Sequence, residues 1–425
     1  MKILIANYRY FVSGGPERYM FNVSGALNAR GHEIIPFSIR YAQNQPSSYS
    51  EYFVEPLGND YEIYFKDHKR NIPTFIRTIK RLIFDPEVEK KINLLAQNTQ
   101  PDVAYVLHYL RKLSPSLLVG LKKAGLPIVV RLSDYAMICP QAHFLREGKP
   151  CELCLHKGLI NSVWYKCVQD NFLISLINFF AFKLQNFLKI FNLIDCFIVT
   201  NPFMYTKMIE AGYPNERIRL IPTFVNIREI EGENNKQKGL IVYLGRLEEI
   251  KGVHILIEAL NILDKNNPEV DFHVKIIGAG SPIYKDFLEK KMRKYNLETK
   301  IEFCGELVLS QIHPILSKAQ ISVVPSIWYE NLPNSVLESY ACSTAVIASN
   351  LGSLGELITE NETGYLFEPG NSKDLYEKLH YSLTHYKETI LLGEKAHTLA
   401  QNEYSQEEHV ESLENLFYEL IKVKK

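Results

Sequence analysis

Along the chain, short and almost unbroken apolar runs alternate with longer stretches in which apolar residues recur every three or four positions. KILIA (2–6), EIIPF (33–37), VAYVL (103–107), PIVVRL (127–132) and DCFIV (195–199) make a first series. LIVYLG (240–245), FHVKIIG (272–278), IEFCG (301–305), ISVVP (321–325) and AVIAS (345–349) make a second. Runs that are apolar at consecutive positions, with helical patterns between them, predict parallel strands covered by helices on both faces. The first intervening helix shows the punctuation. Met20, Val23 and Leu27 share one face, Pro16 suits the opening turn, and Gly31 supplies a left-handed stop. The fold class is therefore α/β, with two doubly wound parallel sheets. The polar stretch EGENNKQKG (231–239) lies between the two series and puts the domain boundary between Pro222 and Gly239. No repeat of the solenoid kind is present.

Composition narrows the partners. A chain of 425 residues exceeds one ordinary core, and 46% hydrophobic with 23% charged residues is typical of a globular protein. With 48 basic and 48 acidic side chains the formal net charge is zero, so no global field gathers nucleic acid. MKILIANYRY lacks the apolar core and cleavage site of a signal peptide. FLISLINFFAFKLQNFLKIF (172–191) is interrupted by Lys183, Gln185, Asn186 and Lys189 and does not read as a membrane span. The expected location is the cytoplasm, at or near the inner face of the membrane. Segment 65–84 interleaves Lys66, Lys69, Arg70, Arg77, Lys80 and Arg81 with Phe75, Ile79, Leu82 and Phe84. Together with 172–191 it reads either as peripheral contact with an anionic membrane or as two helices packed on the first sheet.

Open parallel sheets bind ligands beyond the carboxyl ends of their strands, which directs attention to three loops. After the first strand comes SGGPERYM, where Gly14 and Gly15 let backbone amides approach a ligand and the next helix offers its positive end to phosphate. Neither this loop nor GAGSPI (278–283) has the three glycines of a dinucleotide fingerprint. GRLEEIKG (245–252) follows the first strand of the second series. Arg246 and Lys251 can clamp a diphosphate there, unless Glu248 and Glu249 neutralise them. PSIWYENLPNSVLESYA (325–341) places Glu330 in a loop and Glu338 inside the following helix. A carboxylate accepts two hydrogen bonds, so Glu338 suits a ribose diol and Glu330 the hydroxyls of a sugar. The amides at Asn334 and Ser335, at the helix start, suit phosphate.

Four cysteines, Cys139, Cys151, Cys154 and Cys167, follow the spacing C-x11-C-x2-C-x12-C inside an insertion at about 135–170. They are either the ligands of a structural zinc or four unconnected reduced thiols. Cys196, Cys304 and Cys342 read as packing residues.

From KILIANYRYFVSGGPERY to GYLFEP (364–369), the chain resembles the retaining glycosyltransferase family 4, of the two-domain GT-B architecture. GR-x4-KG, PS-x3-E-x7-E and SGGPER occur in the family's order and spacing. The resemblance implies an acceptor-side domain over 1–223, a nucleotide-sugar donor domain over 224–400, and a C-terminal helix within 401–425 that returns to the first domain. It implies that Arg246 and Lys251 bind the donor diphosphate, Glu330 the sugar and Glu338 the ribose, with Gly14 and Gly15 opposite. The implied reaction moves a hexose from a nucleoside-diphosphate sugar to a saccharide or lipid-linked acceptor, in cell-surface polysaccharide biosynthesis. It proceeds with retention and without a metal, and no D-x-D pair occurs here. Many members carry His-Asp after a later strand of the first domain; here Ser133 stands at the His position beside Asp134, which the resemblance places among the catalytic residues. His108 is a candidate substitute on the acceptor side, or a loop histidine with a structural hydrogen bond. The rival class is a non-catalytic nucleotide-sugar-binding partner of the same fold. A nucleotide-sugar epimerase on a similar fold is a third, weaker alternative.

Overall fold

Two six-stranded parallel sheets arise where the apolar runs predict them, in a computed structural model that describes residues 1–61, 72–227 and 236–424. The first sheet uses β1 (Lys2–Asn7), β2 (Glu33–Phe37), β3 (Val103–His108) and β4 (Ile128–Arg131). A small antiparallel hairpin, β5 (Leu145–Arg146) and β6 (Lys149–Pro150), then interrupts the series. The sheet is completed by β7 (Cys196–Val199) and β8 (Ile218–Leu220) in the order β2-β1-β3-β4-β7-β8. The second contains β9 (Gln237–Leu244), β10 (His273–Ile277), β11 (Ile301–Gly305), β12 (Ala319–Val324), β13 (Val346–Ser349) and β14 (Gly364–Phe367). Its order is β11-β10-β9-β12-β13-β14. β8 and β14 were not read from the sequence. Both are short: β8 passes from a buried Ile218 through a half-exposed Arg219 to an exposed Leu220, and β14 spans four residues opening on Gly364.

Strand order decides where a ligand can sit. In the first sheet the order reverses between β1 and β3, and in the second between β9 and β12. Such reversals splay the connecting helices to opposite faces and leave a crevice at the carboxyl ends. The ends of β1, β3, β9 and β12 and the loops that leave them therefore carry Gly14–Gly15, His108, Arg246–Lys251 and Glu330.

The chain returns to its first domain at the end. Helix Tyr386–Glu403 stays on the second domain, where Ala396 and Ala400 join Val336, Leu337 and Tyr340. Helix Gln406–Lys424 then crosses back, burying Val410, Leu413, Leu416 and Phe417 against Ile3, Ile5, Met20 and Val23. Glu414 receives Arg30 at 2.7 Å and His32 at 2.6 Å. His409 is the polar pin of this seam. Its Nδ1 lies 2.6 Å from the Pro222 carbonyl and so carries the proton, while Nε2 accepts from the Tyr19 hydroxyl at 2.8 Å.

Burial, reinforced by the Arg131 charge and only partly opposed by the Pro222 carbonyl, depresses the His409 pKa from 6.5 to about 3. An unfolded chain takes up this proton below pH 6.5 and the native chain does not. The histidine's contribution to stability is therefore full above pH 6.5 and is lost as the pH falls toward 3, by about 1.4 kcal/mol per unit. Urea denaturation at stepped pH is expected to show this loss in the native sequence and a shallower slope in His409→Gln.

Candidate functional site

The loops after β9 and β12 are knitted together before any side chain is considered. The amide of Ile327 donates to the carbonyl of Ile250 at 3.0 Å. Gly252 has φ +71°, and a Cβ there would lie 1.8 Å from the Pro325 carbonyl oxygen, so only glycine lets the loops approach this closely. Lys251 closes a single 3-10 turn, Glu249–Lys251, just ahead of helix Val253–Asn266. From there its ammonium reaches Glu330 Oε1 at 2.6 Å. The same oxygen accepts from the Ser326 hydroxyl at 2.6 Å and the Trp328 indole at 3.0 Å. Burial pushes the Glu330 pKa up, but the Lys251 charge and these hydrogen bonds outweigh it and hold the carboxyl below its usual range.

The first domain covers this loop. Tyr135 donates its hydroxyl to the Glu330 carbonyl at 3.0 Å, and Ser353 donates to the same oxygen at 2.8 Å. Asn331 donates to the Leu132 carbonyl at 3.1 Å and accepts from the Thr200 hydroxyl at 2.7 Å. The ring of His143, in the cysteine-bearing insertion, meets Trp328 edge-on at 5.1 Å.

Helix Asn334–Ala341 begins beside the same crevice, with no side-chain cap at Pro333, and its first turn is Asn334 and Ser335. A Cβ on Gly15 would stand 3.1 Å from Asn334 Nδ2, so the glycine loop of the first domain faces the helix start of the second. Gly14 is merely extended, at φ −179°. Gly15, Arg18, Asn334 and Glu338 line a cleft of about 570 Å³ open to solvent. Glu338 is buried, and His313 binds its Oε2 at 2.6 Å.

Other predicted residues are placed differently. Arg246 is largely exposed and pairs with Glu248 at 2.8 Å, as the neutralised alternative had it, whereas Lys251 belongs to Glu330. His108 Nε2 lies 3.4 Å from Asp134 Oδ2, and the Ala136 amide donates to Oδ1 at 2.8 Å. Burial raises the Asp134 pKa, but His108, the Ala136 amide and Arg111 together bring it below the ordinary value. Ser133 is tied down by Arg131, whose Nη1 donates to its Oγ at 3.1 Å. The cysteine insertion also touches the Glu330 loop, through His143 against Trp328.

Residues 226–406 match the family model described as Glycosyl transferases group 1. Over these residues the chain is similar to group 1 glycosyltransferases. An uncharacterized glycosyltransferase of Methanocaldococcus jannaschii is 30% identical over 207 residues, 44% of this chain and 56% of that protein. The chain thus spans little more than half of that relative. The two domains superpose together on sucrose-phosphate synthase of Thermosynechococcus elongatus, with TM-score 0.73, 18% identity and 99% of both chains covered. Anabaena HepE in complex with UDP gives 0.66 and 17%, over 99% of this chain and all of that one. At these identities the likeness establishes the GT-B fold and nothing further.

Four side chains of the second domain went unread in the sequence: Ser326, Trp328, Asn331 and His313. The first three lie inside the quoted motif, and only the folded loop turns them toward Glu330 or the interface. His313 had no local signal, because it reaches Glu338 from helix Leu309–Lys318.

Lys251 and Glu330 have side-chain exposures of 18% and 7%, so removing one partner leaves the other charged in a mostly dry place. Lys251→Met is expected to cost about 3 kcal/mol of unfolding free energy. Lys251→Met with Glu330→Gln is expected to recover most of it, as chemical denaturation of the two variants checks.

Proposed function

We propose that the chain is a retaining, metal-independent glycosyltransferase that takes a hexose-type sugar from a nucleoside-diphosphate sugar and transfers it to a saccharide or lipid-linked acceptor. The supporting observation is that Gly15 faces Asn334 so closely that a Cβ on it would stand 3.1 Å from Asn334 Nδ2, with Glu338 lining the same cleft. A glycine loop and an uncapped helix start facing each other fit phosphate, and a carboxylate four residues into that helix fits a ribose diol. HepE, with the same fold, has been solved with UDP and with UDP-glucose.

On this reading Glu338, oriented by His313, accepts from the ribose. Lys251 stands between the Glu330 carboxylate and the diphosphate, and Arg246 leaves Glu248 to join it. These two cations stabilise the charge that develops as the anomeric carbon–oxygen bond breaks, each contributing roughly 10²–10³ in rate. The acceptor hydroxyl attacks from the face the diphosphate leaves, its proton passes to the departing phosphate oxygen, and configuration is retained. Asp134, held by His108, lies on the acceptor side of the crevice with Ser133. A non-catalytic binding partner needs the nucleotide cleft but not the Lys251–Glu330 pair beside it.

Exposed apolar side chains support a lipid-borne acceptor and a role in cell-surface polysaccharide assembly at the inner face of the membrane. Helices Ile72–Ile83 and Phe172–Phe187 pack on each other, with Gln185 donating to the Leu82 carbonyl at 2.7 Å. They leave Phe75, Ile76, Phe172, Leu173, Phe180 and Phe187 exposed, beside the exposed cations Arg77, Lys80 and Lys183. An apolar face ringed by cations suits an anionic lipid surface. Arg81, counted above among the basic residues of this face, is instead buried on Asp85 at 2.8 Å. Residues 65–71 lie outside the described residues. Among the described residues no helix is long and apolar enough to cross a membrane.

Two outcomes are expected. In calorimetry, Glu338→Ala weakens binding of the free nucleoside diphosphate about tenfold or more, whereas Glu330→Ala spares it and weakens only the intact donor. Equal losses would remove the division between ribose and sugar. Sedimentation with anionic vesicles is expected at low salt, to fall as salt rises, and to be lost in Phe180→Asp/Phe187→Asp.

A further inference from the structure

The insertion at 135–170, between β4 and helix Phe172–Phe187, is built almost entirely from turns. Ala142, Phe144, Glu147, Lys166, Gln169 and Asp170 all have positive φ without being glycine, and the regular structure is one four-residue hairpin and two helices of four or five residues. Its buried Tyr135, Met137, Ile138 and Phe144 join the core of the first domain rather than forming one within the insertion. Turns held in left-handed conformations without a core of their own need another constraint. No disulfide supplies it, since all seven cysteines are free thiols.

Two features of the cysteines point to the same constraint. Cys154 lies within electrostatic range of Cys139, Cys151 and Cys167, from three different turns of the insertion. The guanidinium of Arg146, in the β5–β6 hairpin and stacked on Tyr165 at 4.0 Å, acts on both Cys151 and Cys167 and offsets accumulated negative charge.

We propose that Cys139, Cys151, Cys154 and Cys167 bind one zinc ion that staples the insertion together. Binding displaces the four thiol protons, and four thiolates at about 2.3 Å complete a tetrahedron with no position left for water or substrate. The site is structural. Its place gives it a consequence, because the same insertion carries His143 against Trp328 and Glu152 against Lys207 at 2.8 Å, close to the Glu330 loop.

A competing cluster is at hand and is weaker. Glu152, His156 and Glu210 bring three ligand atoms within 4.8 Å of one another, a spacing that no three of the four thiols reach in this metal-free arrangement. Lys207 already occupies that cluster, however, lying 2.8 Å from Glu152 and 3.0 Å from Glu210, and its ammonium balances the two carboxylates.

Elemental analysis of the full chain purified without added metal is expected to find close to one zinc per chain. The metal is lost in Cys151→Ser and in Cys154→Ser, and kept in Cys304→Ser and in Glu152→Gln/His156→Ala. If the serine variants do not fold, cobalt exchanged into the native protein reports instead, through the intense near-ultraviolet absorption of thiolate bound to cobalt. Absence of zinc together with four freely titrating thiols overturns the proposal. So does zinc that survives Cys154→Ser but leaves with Glu152 and His156, or cobalt that binds without a thiolate band.

Discussion

Everything at the crevice depends on the burial of one charge. Glu330 sits at the carboxyl end of β12 where water scarcely reaches, and an isolated carboxylate there would take up a proton. Lys251 prevents this, assisted by Ser326 and Trp328. To meet Glu330, Lys251 must come from the neighbouring strand across the reversal of the sheet, which is why Gly252 has no room for a side chain. The ion pair therefore holds the two ligand-facing loops of the second domain at a fixed separation. It also presents a cation and a carboxylate side by side.

The interface with the first domain is built around that loop rather than around a broad apolar seam. Glu330 and Asn331 take hydrogen bonds from Tyr135, Thr200 and Asn201 of the first domain, and Asn331 returns one to Leu132. Polar interfaces between domains permit relative motion more readily than apolar ones. The returning helix limits that motion at the far side, through His409, Glu414 and the Phe417 cluster. One side of the molecule is clamped and the other is linked by exchangeable hydrogen bonds, an arrangement suited to closing over a ligand.

Much of this was legible in the sequence, for physical reasons that can be named. Ten of the strands announce themselves as apolar runs, most of them because both faces are buried; β8 passes from buried to exposed and β14 is a four-residue run opening on Gly364, and neither was read as a strand. Gly15, Lys251, Glu330 and Glu338 were legible because strand ends in parallel sheets place ligands there. Arg246 was read as half of a clamp, but it lies in solvent paired with Glu248, the neighbour two residues on. His313 was invisible, because its partner lies twenty-five residues away in a different helix and the spacing carries no periodic signature. Arg81 looked like a solvent-facing cation by its helical neighbours, yet Asp85 one turn later makes burial tolerable.

The most direct test of the account is the fate of a nucleoside-diphosphate hexose with an α-linked sugar, followed by proton NMR in the presence of chelator and without acceptor. Slow hydrolysis is expected, releasing nucleoside diphosphate with the α-hexose appearing before mutarotation produces the β form. Release of the β-anomer first, or no cleavage of any donor that binds, would contradict a retaining transferase built on the Lys251–Glu330 crevice.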